Sequence, residues 1–315
     1  TAVIAGLNGV SSWAGDDTVD VSNQSVDGTI AMAAGAGSNT INLGASAEQV
    51  WVGYEYGTNF LGAPGTTGTA ATDSIHAFDD GVDQLNVANG STATLSSYQA
   101  GSLASDLVVS LAQGVNNLGE IKVGLGAGSN HLTGSGGVDL YYGESGANQV
   151  NQVWGGAGVD EFNIGYKLSD GTAGTSNDVL WDLDLTNEVS GLTVSAGSTA
   201  VVGGIYGQDW SVANTVNLSS ASNSGHVLIG LGASNDVFTG TSGDDTVYGE
   251  QSGAAGNQLT LGDGEDHVVS GFVLDPFAGA LDDADGRGFM AAGEIGRDVI
   301  LDWSSSDDRL TIGTA

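Results

Sequence analysis

Large apolar residues recur along this chain about once in nine positions, each closing a short run rich in glycine and small polar residues. The stretch from Gly155 to Asn163, GGAGVDEFN, displays the pattern in full: Gly at frame positions 1, 2 and 4, Asp at 6 and a large apolar residue at 8. Five such blocks lie between 116 and 163, four between 230 and 269, and three between 12 and 51. Position 8 is apolar in all twelve, and position 4 is Gly in nine. A helix is excluded, because Gly at this density costs it about 1 kcal/mol per residue. A Gly-rich turn followed by a short strand such as DEF or DTV fits instead, with position 8 facing the interior. Positions 7 and 9, mostly polar or small, then face outward. Stacked turns of this kind predict an all-β solenoid of short parallel strands.

A longer repeat lies above this one. Residues 124–149 (GLGAGSNHLTG…YYGESGANQ) match 230–258 (GLGASNDVFTG…VYGEQSGAAGNQ), and similar closing segments occur at 73–87, 178–194 and 298–312. Three diverged modules are expected, 1–90, 91–194 and 195–315, the first the most degraded and the last interrupted by an acidic insertion at 274–293.

Charge narrows the partners. The 315 residues hold 38 acidic and 5 basic side chains, a net charge of -33. Nucleic acid and anionic membrane surfaces are recognised through Lys and Arg, so both are excluded, and no apolar run is long enough to span a bilayer. The acidity fits either a solubilising surface in a salty medium or bound cations, and the two are compatible. With 53 Gly but 2 Pro the chain is not collagen, and with no Cys it has neither disulfides nor thiolate metal sites. The start, TAVIAGLNGVSSW, lacks a basic leader region. A removed leader, another export route or a fragment are the readings of that start.

Catalytic motifs are missing. His76, His131, His226 and His267 have no zinc-binding spacing, and no nucleophile elbow or Walker loop occurs. Asp73, Asp178, Asp182, Asp298 and Asp302 recur at matching places in the closing segments, which reads as architecture, so a non-enzyme is expected. Two aromatic groups, Trp51, Tyr54, Tyr56 and Phe60, and Tyr141, Tyr142 and Trp154, either cap the core or face a sugar or protein, with about half expected to point inward. No regular Thr-x-Thr ladder of the ice-binding type is visible.

The nonapeptide resembles the calcium-binding RTX (hemolysin-type) repeat, G-G-x-G-x-D-x-U-x, which GGAGVDEFN meets at every position. The closing segments resemble the D-x-I-x-D-F…D-x-L-x-L stretch that often ends RTX arrays. The resemblance implies a parallel β-roll in which two nonapeptides make one turn and loops alternate between two edges. It also implies Ca2+ between successive loops on one edge, held by Asp carboxylates and backbone carbonyls. Position 6 reads Ile121, Asn130, Asp139, Asn148, Asp160 in the middle module and Asn235, Asp245, Asn257, Asp266 in the last. One edge is thus expected to carry Asp and the other Asn, with calcium on the Asp edge. The expected sites lie between Asp139 and Asp160, with Gly137, Gly155 and Gly158, and between Asp245 and Asp266, with Gly243 and Gly264. Asp17 is a weaker candidate without a clear partner; the plain alternative for all of these is an Asx-turn. Asp283, Asp285 and Gly286 form a D-x-D-G fragment, but Leu281 and Ala292 stand where an EF-hand needs ligands, so a solvated loop is expected.

The expected function is that of a calcium-dependent structural protein, exported by type I secretion, that assembles with itself at the cell surface. A carbohydrate-binding accessory module on cell-surface polysaccharide, or a non-polymeric adhesin domain, is the alternative.

Overall fold

The computed structural model describes residues 2–5, 15–24, 29–45, 47–54, 70–78, 83–95, 108–111, 119–125, 128–143, 150–156, 158–181, 191–203, 213–231, 235–249, 256–270, 272–274, 288–290 and 298–312. All regular structure among them is β-strand, nearly all of it paired in parallel, and the fold is a parallel β-roll. Two compact units form, Thr1–Tyr142 with Gly155–Asp160, and Gly143–Trp154 with Glu161–Ala315.

In the first unit the strands Thr18–Asp20, Gly37–Asn42, Ala71–His76, Thr92–Leu95, Glu120–Leu125 and Val138–Gly143 lie side by side in that order. The strands between them in sequence, Ala2–Ala5, Thr29–Ala33, Ala47–Val52 and Gln84–Val87, build a second sheet. The second unit repeats the scheme. His226–Leu231, Asp244–Gly249, His267–Ser270 and Arg309–Ile312 are neighbours in one sheet, and Thr215–Asn217, Val237–Thr239, Gln258–Thr260 and Val299–Ile300 in another. Successive strands therefore alternate between sheets, and two of them make one turn.

Ten of the twelve position-8 residues are buried, among them Ile41, Val123, Tyr141, Phe162, Val247 and Val268. Two blocks are shifted. Val237 is 40% exposed, and Phe238 is buried in its place, in register with Val216 and Leu259. Val153, not Val150, fills the interior on the strand Val150–Trp154. In both blocks two nearby positions are apolar, so pairing with the adjacent turns decides which one enters the core.

The outward face departs from the expectation of polar or small residues. Val179, Val201, Leu228, Tyr248 and Val269 form a buried apolar cluster on the outer side of the second unit's main sheet, with Trp181 packed against it. The strand Phe272–Leu274, paired antiparallel with Gly288–Met290, lies against the strands His226–Leu231 and Asp244–Gly249. Of the insertion at 274–293, Leu274 and Gly288–Met290 are in paired strands; Asp283, Asp285 and Gly286 lie outside the described residues, as do Tyr56, Phe60 and Asn148. Trp51, Tyr54 and Tyr141 are buried, while Tyr142 and Trp154 are half-buried.

Candidate metal centre

Each loop entering a strand ends in a position-6 side chain, and these side chains form ladders. Asp139 N donates to Asp160 Oδ1 at 3.0 Å, and Asp245 N to Asp266 Oδ1 at 2.9 Å. The second ladder continues into the closing segment, where Asp266 N donates to Asp308 Oδ1 at 3.4 Å. Three of these carboxylates, Asp139, Asp245 and Asp308, also close their own loops. Ser135 N donates to Asp139 Oδ2 and Thr241 N to Asp245 Oδ2, both at 2.6 Å, and Ser304 N to Asp308 Oδ2 at 2.6 Å. Ser135 Oγ and Thr241 Oγ1 add bonds to Oδ1 at 3.1 and 2.9 Å. The loops 134–139 and 240–245 are therefore built alike, and the segment ending at Asp308 is a further turn of the same kind.

The loops approach so closely that side chains are excluded. At Gly134 a Cβ would meet Asp139 Oδ2 at 2.8 Å and collide with the Gly155 carbonyl oxygen; at Gly240 it would meet Asp245 Oδ2 at 2.6 Å and the Leu261 carbonyl oxygen. Gly158 and Gly264, both at φ +136°, face the carbonyl oxygens of Gly137 and Gly243 across the gap. Carbonyls of one loop and carboxylates of the next thus line each inter-loop gap.

These oxygens are hard donors and they are dry. Asp139, Asp160, Asp245 and Asp266 are 4%, 1%, 0% and 1% exposed. Asp266 Oδ2 is buried with no hydrogen-bond partner. Ion pairs among the described residues join Lys122 to Glu120 and Arg309 to Glu265, and both pairs lie at the surface. No group of three or more His, Asp or Glu side chains converges among the described residues, so a cation here must draw on backbone carbonyls as well. An all-oxygen set with two carboxylates suits Ca2+ rather than Zn2+.

A family model for the RTX calcium-binding nonapeptide repeat matches residues 126–150 and 232–252, in four copies. The chain carries RTX repeats. Such repeats bind Ca2+, and proteins that contain them are typically extracellular. No curated protein and no solved structure matches the chain.

The RTX ladders differ between edges in ways the nonapeptide frame does not reveal. The buried position-6 residue at 230–238 is Asp236, not the exposed Asn235, because that block is shifted by one. Its ladder runs from Asn214 N to Asp236 Oδ1 (2.8 Å), from Asp236 N to Asn257 Oδ1 (3.0 Å) and from Asn257 N to Asp298 Oδ1 (3.2 Å). That edge is mixed Asn and Asp rather than Asn alone. In the first unit Asp17 N donates to Asn39 Oδ1 and Asn39 N to Asp73 Oδ1, giving Asp17 a place at the start of a ladder. The ladder then stops, because Ala93 and Ile121 occupy the next two registers. Glu48 holds the corresponding place on the other edge, where its N–H donates to Asp83 Oδ1 at 2.9 Å. Only the pairing reveals Glu48 and Asp236 as rungs. The closing-segment residues Asp298 and Asp302 accept bonds from Ser270 Oγ and from the Leu261 and Gly262 N–H groups, an architectural use.

Burial raises the carboxyl pKa of Asp139, Asp245 and Asp266 to about 7, and that of Asp73 to about 6. The repulsion of Asp245 and Asp308 adds to the shift at Asp266. Unfolded Asp titrates near 3.9, at roughly its model-peptide value. Between these pKa values the folded state binds more protons than the unfolded state, so calcium-free stability falls as pH rises. Asp20, Asp170 and Asp307 are lowered by local Ser or Thr hydrogen bonds and act in the opposite sense, but they lie on the surface. The chelated protein should therefore melt at a higher temperature at pH 5 than at pH 8. Calorimetry in chelator checks this; an unchanged or rising melting temperature over that interval would contradict it.

Proposed function

We propose that this is an extracellular structural protein whose RTX loops fold around calcium and whose copies join end to end at the cell surface. Calcium sits between loops 134–139 and 155–160, with Asp139 and Asp160, and between loops 240–245 and 261–266, with Asp245 and Asp266. The carbonyls of Gly137, Gly155 and Gly243 complete the sites, and Gly158 and Gly264 act by leaving room for their neighbours. When bound, the cation supplies positive charge that the buried carboxylates otherwise lack. In a calcium-poor cytosol a net charge of -33 opposes compaction; outside, calcium bound only to the native state adds its free energy to folding. Export by type I secretion follows the same logic.

One observation carries the assembly. Val299, Leu301, Trp303, Leu310 and Ile312, all in the last described turn, are 52%, 62%, 38%, 47% and 61% exposed. Leu310 is in register with the fully buried Val268, so it stands at a core position in the last described turn. Another copy stacked there would bury it. Among the described residues the strand Ala2–Ala5 lies at the edge of its sheet, where another copy can pair. A head-to-tail contact that does not close yields an open polymer. Negative-stain electron microscopy of the purified protein, in chelator and in millimolar calcium, tests the reading. Filaments or sheets that form with calcium, and are lost in Leu310→Asp/Ile312→Asp, are expected; compact monomers in calcium would overturn the assembly. Saccharide binding is the second reading, supported by the half-buried Trp154 and Trp181 rings, stacked at 5.9 Å and 15°.

A further inference from the structure

The outer face of the first unit's larger sheet holds an ordered array of hydroxyls. Thr18, Thr40, Ser74 and Thr94 lie in one register row across four adjacent strands. Ser38, Thr72 and Thr92 form a second row two residues earlier. All seven alternate with buried residues such as Asn39, Ile41, Asp73, Ile75, Ala93 and Leu95, so they point outward. Thr18, Ser38 and Thr72 are exposed, and the other four are partly so. A third row, Asp20, Asn42 and His76, closes one side, and the Glu120–Lys122 pair closes the other.

Such a face repeats in two directions, at roughly 4.8 Å between strands and about 6.7 Å along each strand. The β-branched Thr side chains are stiff at χ1, so hydroxyl and methyl keep fixed positions. The two rows are uncharged on a chain of net charge -33, which disfavours an ionic partner. They contain no aromatic residue; the nearest on this sheet, Tyr142, lies two strands beyond Thr92–Leu95. Sugar stacking and the aromatic core of a protein interface therefore both lack their main element. What remains is a partner that is neutral and itself periodic on the scale of one hydrogen bond.

We propose that this face binds crystalline water, so that the protein adsorbs to ice. The array is absent from the sequence pattern because its Ser/Thr-x-Ser/Thr units, at 38–40, 72–74 and 92–94, are separated by loops of unequal length. Parallel pairing brings them into rows. The site is separate from the calcium loops and from the exposed last turn, so it stands whether or not copies assemble.

The test grows an ice hemisphere slowly in a dilute solution of the full calcium-loaded chain and measures the protein trapped in the ice, with thermal hysteresis read in parallel. The native protein is expected to enter ice at several times the level of serum albumin. Thr40→Tyr/Thr94→Tyr should lower that enrichment at least tenfold, and Thr133→Tyr, on an exposed position of another sheet, should leave it unchanged. Circular dichroism confirms the fold; if the double variant does not fold, Thr94→Tyr alone carries the comparison. Exclusion of the native protein from ice, or equal incorporation of the folded Tyr variants, would overturn the proposal. So would retention on crystalline cellulose without retention on ice.

Discussion

With Asp245 and Asp266 both replaced by Asn, the protein in millimolar calcium should lose about 3 kcal/mol of stability, on the order of what a ligand at a hundred times its dissociation constant supplies. In chelator at pH 8 the same variant should be more stable than the native protein. The reversal follows from what Asn keeps and what it removes. Its volume is that of Asp, and its Oδ1 still accepts the N–H of residue 245 at the 2.9 Å rung. At 245 the amide oxygen can still accept from Thr241 N, while the Thr241 hydroxyl turns its proton to the Gly243 carbonyl, so the loop keeps its backbone closure and loses the side-chain bonds to Oδ1. The buried charge disappears, and with it both the affinity for calcium and the cost of ionising a carboxyl whose pKa burial raises to about 7. Urea denaturation followed by tryptophan fluorescence, with and without calcium, reads both signs. If calcium shifted the native and variant midpoints equally, these two residues would hold none of it.

Gly158→Val should cost roughly 2–6 kcal/mol even in saturating calcium, the sum of a forbidden backbone conformation and an overpacked contact. Gly158 has φ +136°, which L-residues rarely adopt, and its Cβ would strike the carbonyl oxygen of Gly137 in the loop below. That oxygen belongs to backbone, so it cannot swing aside as a side chain would. Gly136, in the same loop pair, has nothing within 4 Å of an added Cβ, so Gly136→Ala should stay within about 0.5 kcal/mol. Denaturation midpoints of the two variants make the comparison. Equal losses would mean that the loops are not stacked as tightly as the Gly158 contact implies.

The two variants touch features of different legibility. The Asp pairs could be read from the sequence because a nonapeptide repeats its chemistry at fixed spacing, and one turn of a roll brings like positions together. Gly158 could be read as a frame position, but not as the residue beneath which Gly137 fits. Asp236 and Glu48 were missed. Asp236 lies one residue outside the frame, beside Asn235, and both Val237 and Phe238 after it are apolar, so pattern alone cannot choose between them. Glu48 stands at position 6 where the frame suggests Asp, and only its full burial and the bond to Asp83 mark it as a rung.

From the sequence alone came the all-β solenoid, the inward residue of most blocks and the adjacency of the two Asp pairs, while calcium came with the resemblance to RTX repeats. These are local properties: a Gly-rich turn, an alternating strand and a carboxylate repeat within a dozen residues and need no distant partner. The tertiary structure decided the rest. It turned the closing segments into further turns, hid the outer apolar cluster of Leu228 and Tyr248, exposed Leu310 and Ile312, and aligned Thr40, Ser74 and Thr94 in one row. Each of these depends on which strand lies beside which. Parallel pairing across loops of unequal length sets that register, and the spacing along the chain does not encode it.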